Sequence, residues 1–382
     1  MSRRLILAVL TFAASLSAWS APGARASRDD TLPSRLSDQE FWRLSEEFSE
    51  PNGYFRSDNL LSNEMVFGRV IPDLISRTKQ GGVYLGVGPE QNFTYIAAIR
   101  PKIAFITDIR RGNLQLQLMY KAVFEISKTR ADFLSRLFSK KRPDGLTAAS
   151  TAQDLFSAYS NLPSESETTY RDNLKAIDDE LVKANKLPLV EEDLSGIDYV
   201  YRAFYSYGPT ITYSSSNGAI GRGTTYAQLM MQTDANGQGL NYLATEEKYA
   251  FLRDFETHNL LVPIVGNFAG PKALRAVGTY LKEHGAVVTA FYVSNVEQYL
   301  RGDGIWPDFC ANVATLPLDQ SSVFIRPSPA GRMGGFSTVT IVNGTVVSSS
   351  GPPAGSTPVL GSPFGVMADE VKDCHTTRLL HH

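Results

Sequence analysis

The chain has 382 residues and a formal net charge of −2, with 43% hydrophobic and 20% charged residues. This hydrophobic content can fill the core of one large or two ordinary domains. A charge so close to zero gives no electrostatic basis for binding nucleic acid or an anionic membrane, so neither partner is expected.

Residues 1–26 have the features of a secretory signal peptide. Arg3 and Arg4 form a basic start, residues 5–19 are apolar but too short to span a bilayer comfortably, and residues 24–26 read Ala-Arg-Ala, a cleavage signal. We therefore expect export to the periplasm or the exterior, with no membrane span after cleavage. The paired arginines loosely resemble a twin-arginine signal. A buried N-terminal helix is the alternative.

Residues 27–80 are predicted to form a helical lead-in. Ser37 and Glu40 have the spacing of a capping box, and Pro51 ends the apolar pattern that follows them. A second helix is predicted over about 64–77. The segment between the two helices is polar, and we expect it to be extended.

An alternating α/β pattern begins after this lead-in and returns near residue 260. Apolar strands are predicted over 83–87, 103–108, 261–267, 286–293 and 322–325. Helices are predicted between them over 90–99, 112–126, 272–284 and from about 296. This alternation predicts an α/β fold with a Rossmann-like, open and mostly parallel sheet.

Residues 128–250 interrupt the alternation and are predicted to be an insertion, which splits the α/β domain into 81–127 and 251–349. Helical patterns recur in the insertion at 130–140, 151–160 and 167–185. Tyrosines then cluster over 199–213, and an aromatic core or strand is favoured there over the alternative of a substrate groove.

The C-terminal part is predicted to contain a hairpin over 336–347, around Asn343-Gly344. Residues 350–382 are rich in Pro and Gly at their start and are expected to be a surface tail. Cys310 and Cys374 could pair in an oxidising compartment, but two separate thiols are an equal alternative. With scattered histidines and no Cys-x-x-Cys, no metal site is expected.

Glycines and a carboxylate follow the first two predicted strands. Gly86 and Gly88 end the first, and Asp108 ends the second. Glycine lets the backbone approach a ligand, and a carboxylate can accept hydrogen bonds from ribose hydroxyls. The alternatives are a tight turn at the glycines and an Asp108 that caps the next helix or pairs with Arg110 or Arg111.

Over roughly 82–126 and 258–347, this order of motifs resembles the class I S-adenosylmethionine-dependent methyltransferase fold. The resemblance implies that Gly86 and Gly88 form the glycine motif and that Asp108 holds the ribose. It further implies that Asn267 meets the adenine, although a turn residue is the alternative there.

The same resemblance assigns Tyr292, Ser294 and Asn295, at the end of the fourth strand, to the catalytic or substrate-facing side. Capping of the next helix is the alternative for the last two. In that family the segment before the first strand folds over the methionine end of the ligand. Asn63 and Glu64 would then line the pocket together with Asn59, and a solvated loop is the alternative.

Three positions depart from the family pattern. Tyr84 stands where the family has an acid, Glu90 replaces the third glycine, and Asn267 replaces the commoner Asp. A negative Glu90 at a helix N-terminus would repel the pyrophosphate of NAD but is compatible with S-adenosylmethionine. We therefore expect an adenosyl ligand in preference to NAD, with Glu90 close to it.

The expected function is binding of S-adenosylmethionine or a related nucleoside, with methyl transfer to an unidentified acceptor as the enzymatic possibility. The alternative is an exported envelope protein that uses a degenerate methyltransferase-like fold for binding or scaffolding. A redox enzyme with another nucleotide is a third hypothesis. No G-x-S-x-G motif supports serine hydrolase chemistry.

Overall fold

A computed structural model describes most of the chain from residue 30 onward. The described residues are 30–64, 67–160, 162–163, 166–213, 223–234, 236–326 and 363–374, with the backbone of 338–342 and 345–349. The predicted signal peptide, the Asn343-Gly344 turn and residues 350–362 lie outside them.

Six strands form one sheet at the centre of the molecule. They are β1 (Val83–Val87), β2 (Ile103–Asp108), β3 (Leu261–Val265), β4 (Val288–Tyr292), β5 (Val323–Ile325) and β8 (Phe364–Val366). The strand order is β3-β2-β1-β4-β5-β8, and only the pairing of β5 with β8 is antiparallel. The predicted α/β class and the five predicted strands are confirmed.

A separate hairpin joins β6 (Thr338–Val342) to β7 (Thr345–Ser349) in antiparallel register. This confirms the hairpin that was predicted around Asn343-Gly344.

Helices surround the sheet. Before the insertion they are α1 (Asp38–Phe48), α2 (Ile71–Arg77), α3 (Gln91–Ile99) and α4 (Arg111–Glu125). The insertion contributes α5 (Arg130–Leu137), α6 (Ala152–Ser160), α7 (Glu167–Asp179), α8 (Glu191–Tyr207), α9 (Tyr226–Met230) and α10 (Glu246–Thr257). The last four are α11 (Ala273–Glu283), α12 (Val296–Gly302), α13 (Trp306–Val313) and α14 (Met367–Glu370). Within the described ranges, no helix has the length and apolarity needed to cross a membrane.

The parallel strands are apolar along their length because helices cover both faces of the sheet. Every residue of β1 to β5 is buried. Pro263 is tolerated inside β3 because that strand lies at the sheet edge, where a missing N–H costs no ladder bond. The hydroxyl of Ser45 in α1 donates to the Pro263 carbonyl at 2.6 Å and fixes the lead-in to this edge.

An aromatic core or strand was favoured for the tyrosine segment of the insertion, and the structure shows the aromatic core, with the residues up to Tyr207 helical in α8. α8 contacts α4, and its Tyr201 and Phe204 are buried. Tyr199 is 53% exposed on the other side of the helix. Helical periodicity lets one tyrosine-rich stretch serve both the core and the surface.

The C-terminal segment is not merely a surface tail. Residues 363–374 add β8 and α14 to the domain, and a disulfide joins Cys374 to Cys310 of α13. The Arg326 guanidinium pairs with both Glu297 and Glu370, which also holds α14 in place. The sequence pattern missed this strand because it has only three residues after a Pro/Gly-rich stretch.

Candidate functional site

A cavity opens at the carboxyl ends of β1, β2, β3 and β4. β1 lies between β2 and β4, so the strand order reverses at β1. Open α/β sheets bind their ligands beyond the carboxyl ends of the strands at such a point. The predicted residues that line this cavity are Asn59, Asn63, Gly88, Asp108, Asn267, Tyr292, Ser294 and Asn295. Gly86, Glu64 and Glu90 are outside the lining.

The lead-in forms the wall opposite the sheet. Its residues 54–63 contribute Tyr54, Phe55 and Asn59 to the lining. The Phe55 ring meets the Tyr299 ring of α12 edge-on at 5.3 Å, and Tyr54 is 84% exposed beside them. An aromatic contact between the lead-in and α12 therefore borders the mouth of the cavity.

The two glycines have different roles. Gly88 lines the cavity and has a φ of +78°, a left-handed conformation that favours glycine. Gly86 lies where a Cβ would come within 2.0 Å of Asn92 Oδ1. Gly86 is therefore required for packing against α3, and its predicted ligand contact is not seen.

Asn92 holds the glycine loop from inside the fold. Its Nδ2 donates to the carbonyls of Val87 at 3.0 Å and Pro89 at 2.7 Å. Its Oδ1 accepts from the hydroxyl of Tyr84 at 2.8 Å. Tyr84 stands where class I methyltransferases have an acidic residue, and in this structure it is a buried support of the glycine loop.

Glu90 supports the lead-in instead of facing the cavity. It is fully buried, and its two carboxyl oxygens accept from the Ser62 backbone N–H at 3.2 and 3.1 Å. Burial raises the pKa of Glu90 to about 8. Burial thus favours the neutral carboxyl, and because Glu90 lies outside the cavity lining, the expected position close to a ligand is not what the structure shows.

Asp108 lies at the cavity edge but is held by Arg110. Asp108 Oδ1 accepts from the Arg110 backbone N–H at 3.0 Å and from its Nε at 3.1 Å, and Oδ2 accepts from Nη2 at 3.1 Å. The two oxygens have about four lone-pair sites in total, so one remains for a ligand hydroxyl. Arg110 also donates to the Asp58 carbonyl and thereby holds the lead-in.

Asn267 is positioned by Glu50, a residue that the sequence analysis missed. Glu50 accepts from the Asn267 N–H at 3.1 Å and from the N–H groups of Lys272 and Ala273 at the start of α11. The Asn267 Oδ1 itself accepts from the Ala269 N–H at 3.0 Å. One lone pair and the Nδ2 group are left for a ligand.

Two hydroxyls at the end of β4 converge on Glu64 of the lead-in. Tyr292 and Ser294 donate to Glu64 Oε1 at 2.5 and 2.7 Å. Asn295 stands at the N-cap position of α12 but makes no side-chain cap bond. The capping alternative for Asn295 is therefore not what the structure shows.

Other contributors to the cavity were also missed. Tyr54, Phe55 and Tyr299 line it but were not assigned there, because nothing in their local pattern brings the lead-in and α12 together. Within the described ranges, no three or more His, Cys, Asp or Glu side chains are grouped so that they could hold a metal ion.

Comparison with known proteins identifies a family whose function is not known. No curated protein matches the chain. A family model described as a domain of unknown function, DUF7790, matches residues 60–346, which include all five parallel strands and most of the cavity lining. Because this match covers well over half of the chain, the protein belongs to the DUF7790 family.

Proposed function

We propose that the cavity binds S-adenosylmethionine or a related adenosyl nucleoside and that the protein transfers the methyl group to an acceptor. One observation carries the proposal: most of the residues predicted from the methyltransferase resemblance, though not Gly86, Glu64 or Glu90, line one cavity at the carboxyl ends of β1 to β4. Such a location is the usual ligand site of an open α/β sheet.

Each side of the cavity offers suitable chemistry. Gly88 permits close approach of the ligand to the backbone, Asp108 has one acceptor site for a ribose hydroxyl, and Asn267 offers amide hydrogen bonds to an adenine edge. Methyl transfer then requires mainly that the acceptor atom be held in line with the methyl group. The side chains at the end of β4 face the same cavity and would contact the acceptor.

A thermal-shift titration of residues 27–382 with S-adenosylmethionine, S-adenosylhomocysteine and NAD tests this function. A ligand at 100 times its dissociation constant adds about 2.7 kcal/mol to stability. We expect a shift of several degrees with the adenosyl compounds that is reduced in Asp108→Asn. NAD belongs in the test because Glu90 lies outside the cavity lining and so does not exclude a dinucleotide. No shift with any adenosyl compound would contradict the proposal.

A second candidate function is a non-catalytic exported binding or scaffolding protein. Two observations favour it: the Cys310–Cys374 disulfide, which is typical of oxidising compartments, and the Arg110 side chain that occupies most of the Asp108 carboxylate. Cell fractionation distinguishes the two. A cleaved periplasmic protein without bound nucleoside would support the second candidate, and an uncleaved cytoplasmic one would support the enzyme.

A further inference from the structure

Tyr292, Ser294 and Asn295 form the side of the cavity at the end of β4, which is called the β4 wall below. Glu64 sets the hydrogen-bonding direction of the two hydroxyls in this wall. Tyr292 and Ser294 each have a single hydroxyl proton, and both protons are directed to Glu64 Oε1, at 2.5 and 2.7 Å. A carboxylate can only accept hydrogen bonds. The two hydroxyls can therefore accept hydrogen bonds from a ligand through their lone pairs but have no proton left to donate to it.

Both hydroxyls are held firmly. The Tyr292 ring is buried in β4 and packs against the Tyr95 ring at 5.1 Å. Ser294 has a φ of +45°, a left-handed conformation that is uncommon for residues other than glycine, Asn and Asp. Its bond to Glu64 offsets part of the cost of that conformation, and such backbone strain often occurs at functional sites.

The negative charge of Glu64 acts on this wall as well. It contributes, after burial, to a raised pKa for Tyr292, and it does the same for the neighbouring Tyr84 and Tyr95. Tyr292 remains a protonated hydroxyl, so Tyr292 and Ser294 offer the cavity neutral acceptors with a carboxylate behind them. A ligand group that donates hydrogen bonds, above all a cationic one, is its complement.

We infer that the β4 wall binds a protonated nitrogen or a hydroxyl of the acceptor and that Glu64 is the positioning residue that makes Tyr292 and Ser294 accept its proton. The acceptor class is thus an amine or an alcohol. This inference rests on the proposed function, because it places the acceptor beside the sulfonium of a bound adenosyl ligand.

The transfer step begins with loss of the acceptor proton, which moves to Ser294 Oγ as the Ser294 proton moves to Glu64 and leaves a lone pair on the acceptor N or O. This lone pair forms the new bond to the methyl carbon, and the carbon–sulfur bond breaks with its electrons going to sulfur to leave a neutral thioether. No further oxidant, reductant or metal is required.

Sinefungin is a suitable probe, since it carries an amine where S-adenosylmethionine has its methylated sulfur. We expect the wild-type protein to bind sinefungin about tenfold or more tightly than S-adenosylhomocysteine, because the extra ammonium gains a charge-assisted hydrogen bond. In Glu64→Gln and Ser294→Ala this preference should fall towards equality, while affinity for S-adenosylhomocysteine is kept. Isothermal titration calorimetry measures both ligands in each variant.

Asp58→Asn is the matched control, since it makes the same acid-to-amide change in the same lead-in, and the Asp58 side chain accepts from Tyr199 at 2.7 Å. It should retain the sinefungin preference. Equal binding of the two ligands by the wild type, or an unchanged preference in Ser294→Ala and Glu64→Gln, would overturn the inference. Failure of the wild type to bind S-adenosylhomocysteine would instead overturn the proposed function. Binding of S-adenosylhomocysteine by a variant also shows that the variant is folded.

Discussion

Asp108 and Arg110 form a nearly buried ion pair at the cavity, with side-chain exposures of 6% and 10%. Arg110 also reaches the Asp58 carbonyl, so the pair connects the end of β2 to the lead-in. Replacing both partners of such a buried ion pair often leaves the free energy of unfolding nearly unchanged. The pair therefore stabilises the fold mainly because neither charge is left buried without a partner.

Asp108→Asn and Arg110→Met should each lower the free energy of unfolding by about 3 kcal/mol, since each leaves a buried polar partner unpaired. The double variant should lose at least about 1 kcal/mol less than the sum of the two. Urea denaturation of the four proteins measures this cycle. Strictly additive losses would show that the pair is not coupled.

Two buried carboxyl groups make stability depend on pH. Burial raises the pKa of Glu90 and of Glu256 to about 8, from an ordinary value of 4.5. Neither carboxyl oxygen of Glu256 has a hydrogen-bond partner in the described part of the chain. A raised pKa in the folded state means that each group's contribution is fully present below pH 4.5 and is lost as the pH rises through about 8.

Glu90→Gln and Glu256→Gln should therefore flatten the decline in stability between pH 5 and pH 8.5. Each pKa unit corresponds to about 1.4 kcal/mol, so the difference from wild type can reach a few kcal/mol at the upper end. Urea unfolding at the two pH values tests this, with the exposed Glu47→Gln as control. Parallel pH profiles of wild type and both buried variants would contradict it.

At the scale of elements, the lead-in positions the loop after β3. Lys272 is the N-cap residue of α11, and its side chain makes no capping hydrogen bond. The Glu50 carboxylate accepts from the Lys272 and Ala273 N–H groups at 2.8 and 3.0 Å and so caps this helix from a distant part of the sequence. A negative charge also interacts favourably with a helix N-terminus.

Glu50→Ala should lower stability by about 1–2 kcal/mol, as loss of a helix cap does. It should also weaken binding of S-adenosylhomocysteine, because the Asn267 N–H loses its partner. Ser37→Ala is the control, since Ser37 caps α1 through the Glu40 N–H at 3.1 Å, away from the cavity. Equal effects of the two substitutions on ligand affinity would argue against a positioning role for Glu50.

At the scale of the whole molecule, the C-terminal segment completes the sheet and is cross-linked to α13. The disulfide joins residues 64 positions apart, with a Cα–Cα distance of 5.6 Å. β8 covers the edge of β5, and α12 and α13 continue from the cavity wall towards the cross-link. Cross-linking restricts the unfolded chain, and more so for a long loop.

Replacing both Cys310 and Cys374 by Ser should lower the free energy of unfolding by about 4 kcal/mol on the chain-entropy estimate for a loop of this length. Urea denaturation of wild type with and without reductant, beside the double variant, measures the loss. Reductant should shift only the wild type. Coincident curves for oxidised wild type and the variant would show that the cross-link contributes nothing to stability.

The sequence predicted the elements of this fold better than their contacts. β1 and β2 were placed at their observed residues, because buried parallel strands read as apolar runs with clear boundaries. β8 was missed because three residues carry too little periodic signal. For the tyrosines of α8 the sequence left an aromatic core and a strand open, and packing of the helix against α4 decided for the core.

The sequence by itself determined the α/β class and the cluster of ligand-type residues at the carboxyl ends of the strands, because both follow from local periodicity and from where each strand ends. Only the tertiary structure decided which side chains are available to a ligand. Arg110 on Asp108, Glu50 on Asn267 and Glu64 on Tyr292 and Ser294 are contacts made on folding. Burial raised the pKa of Glu90 and made this side chain a support of the lead-in. Charge and hydrogen-bonding capacity depend on such neighbours in space, which no local pattern records.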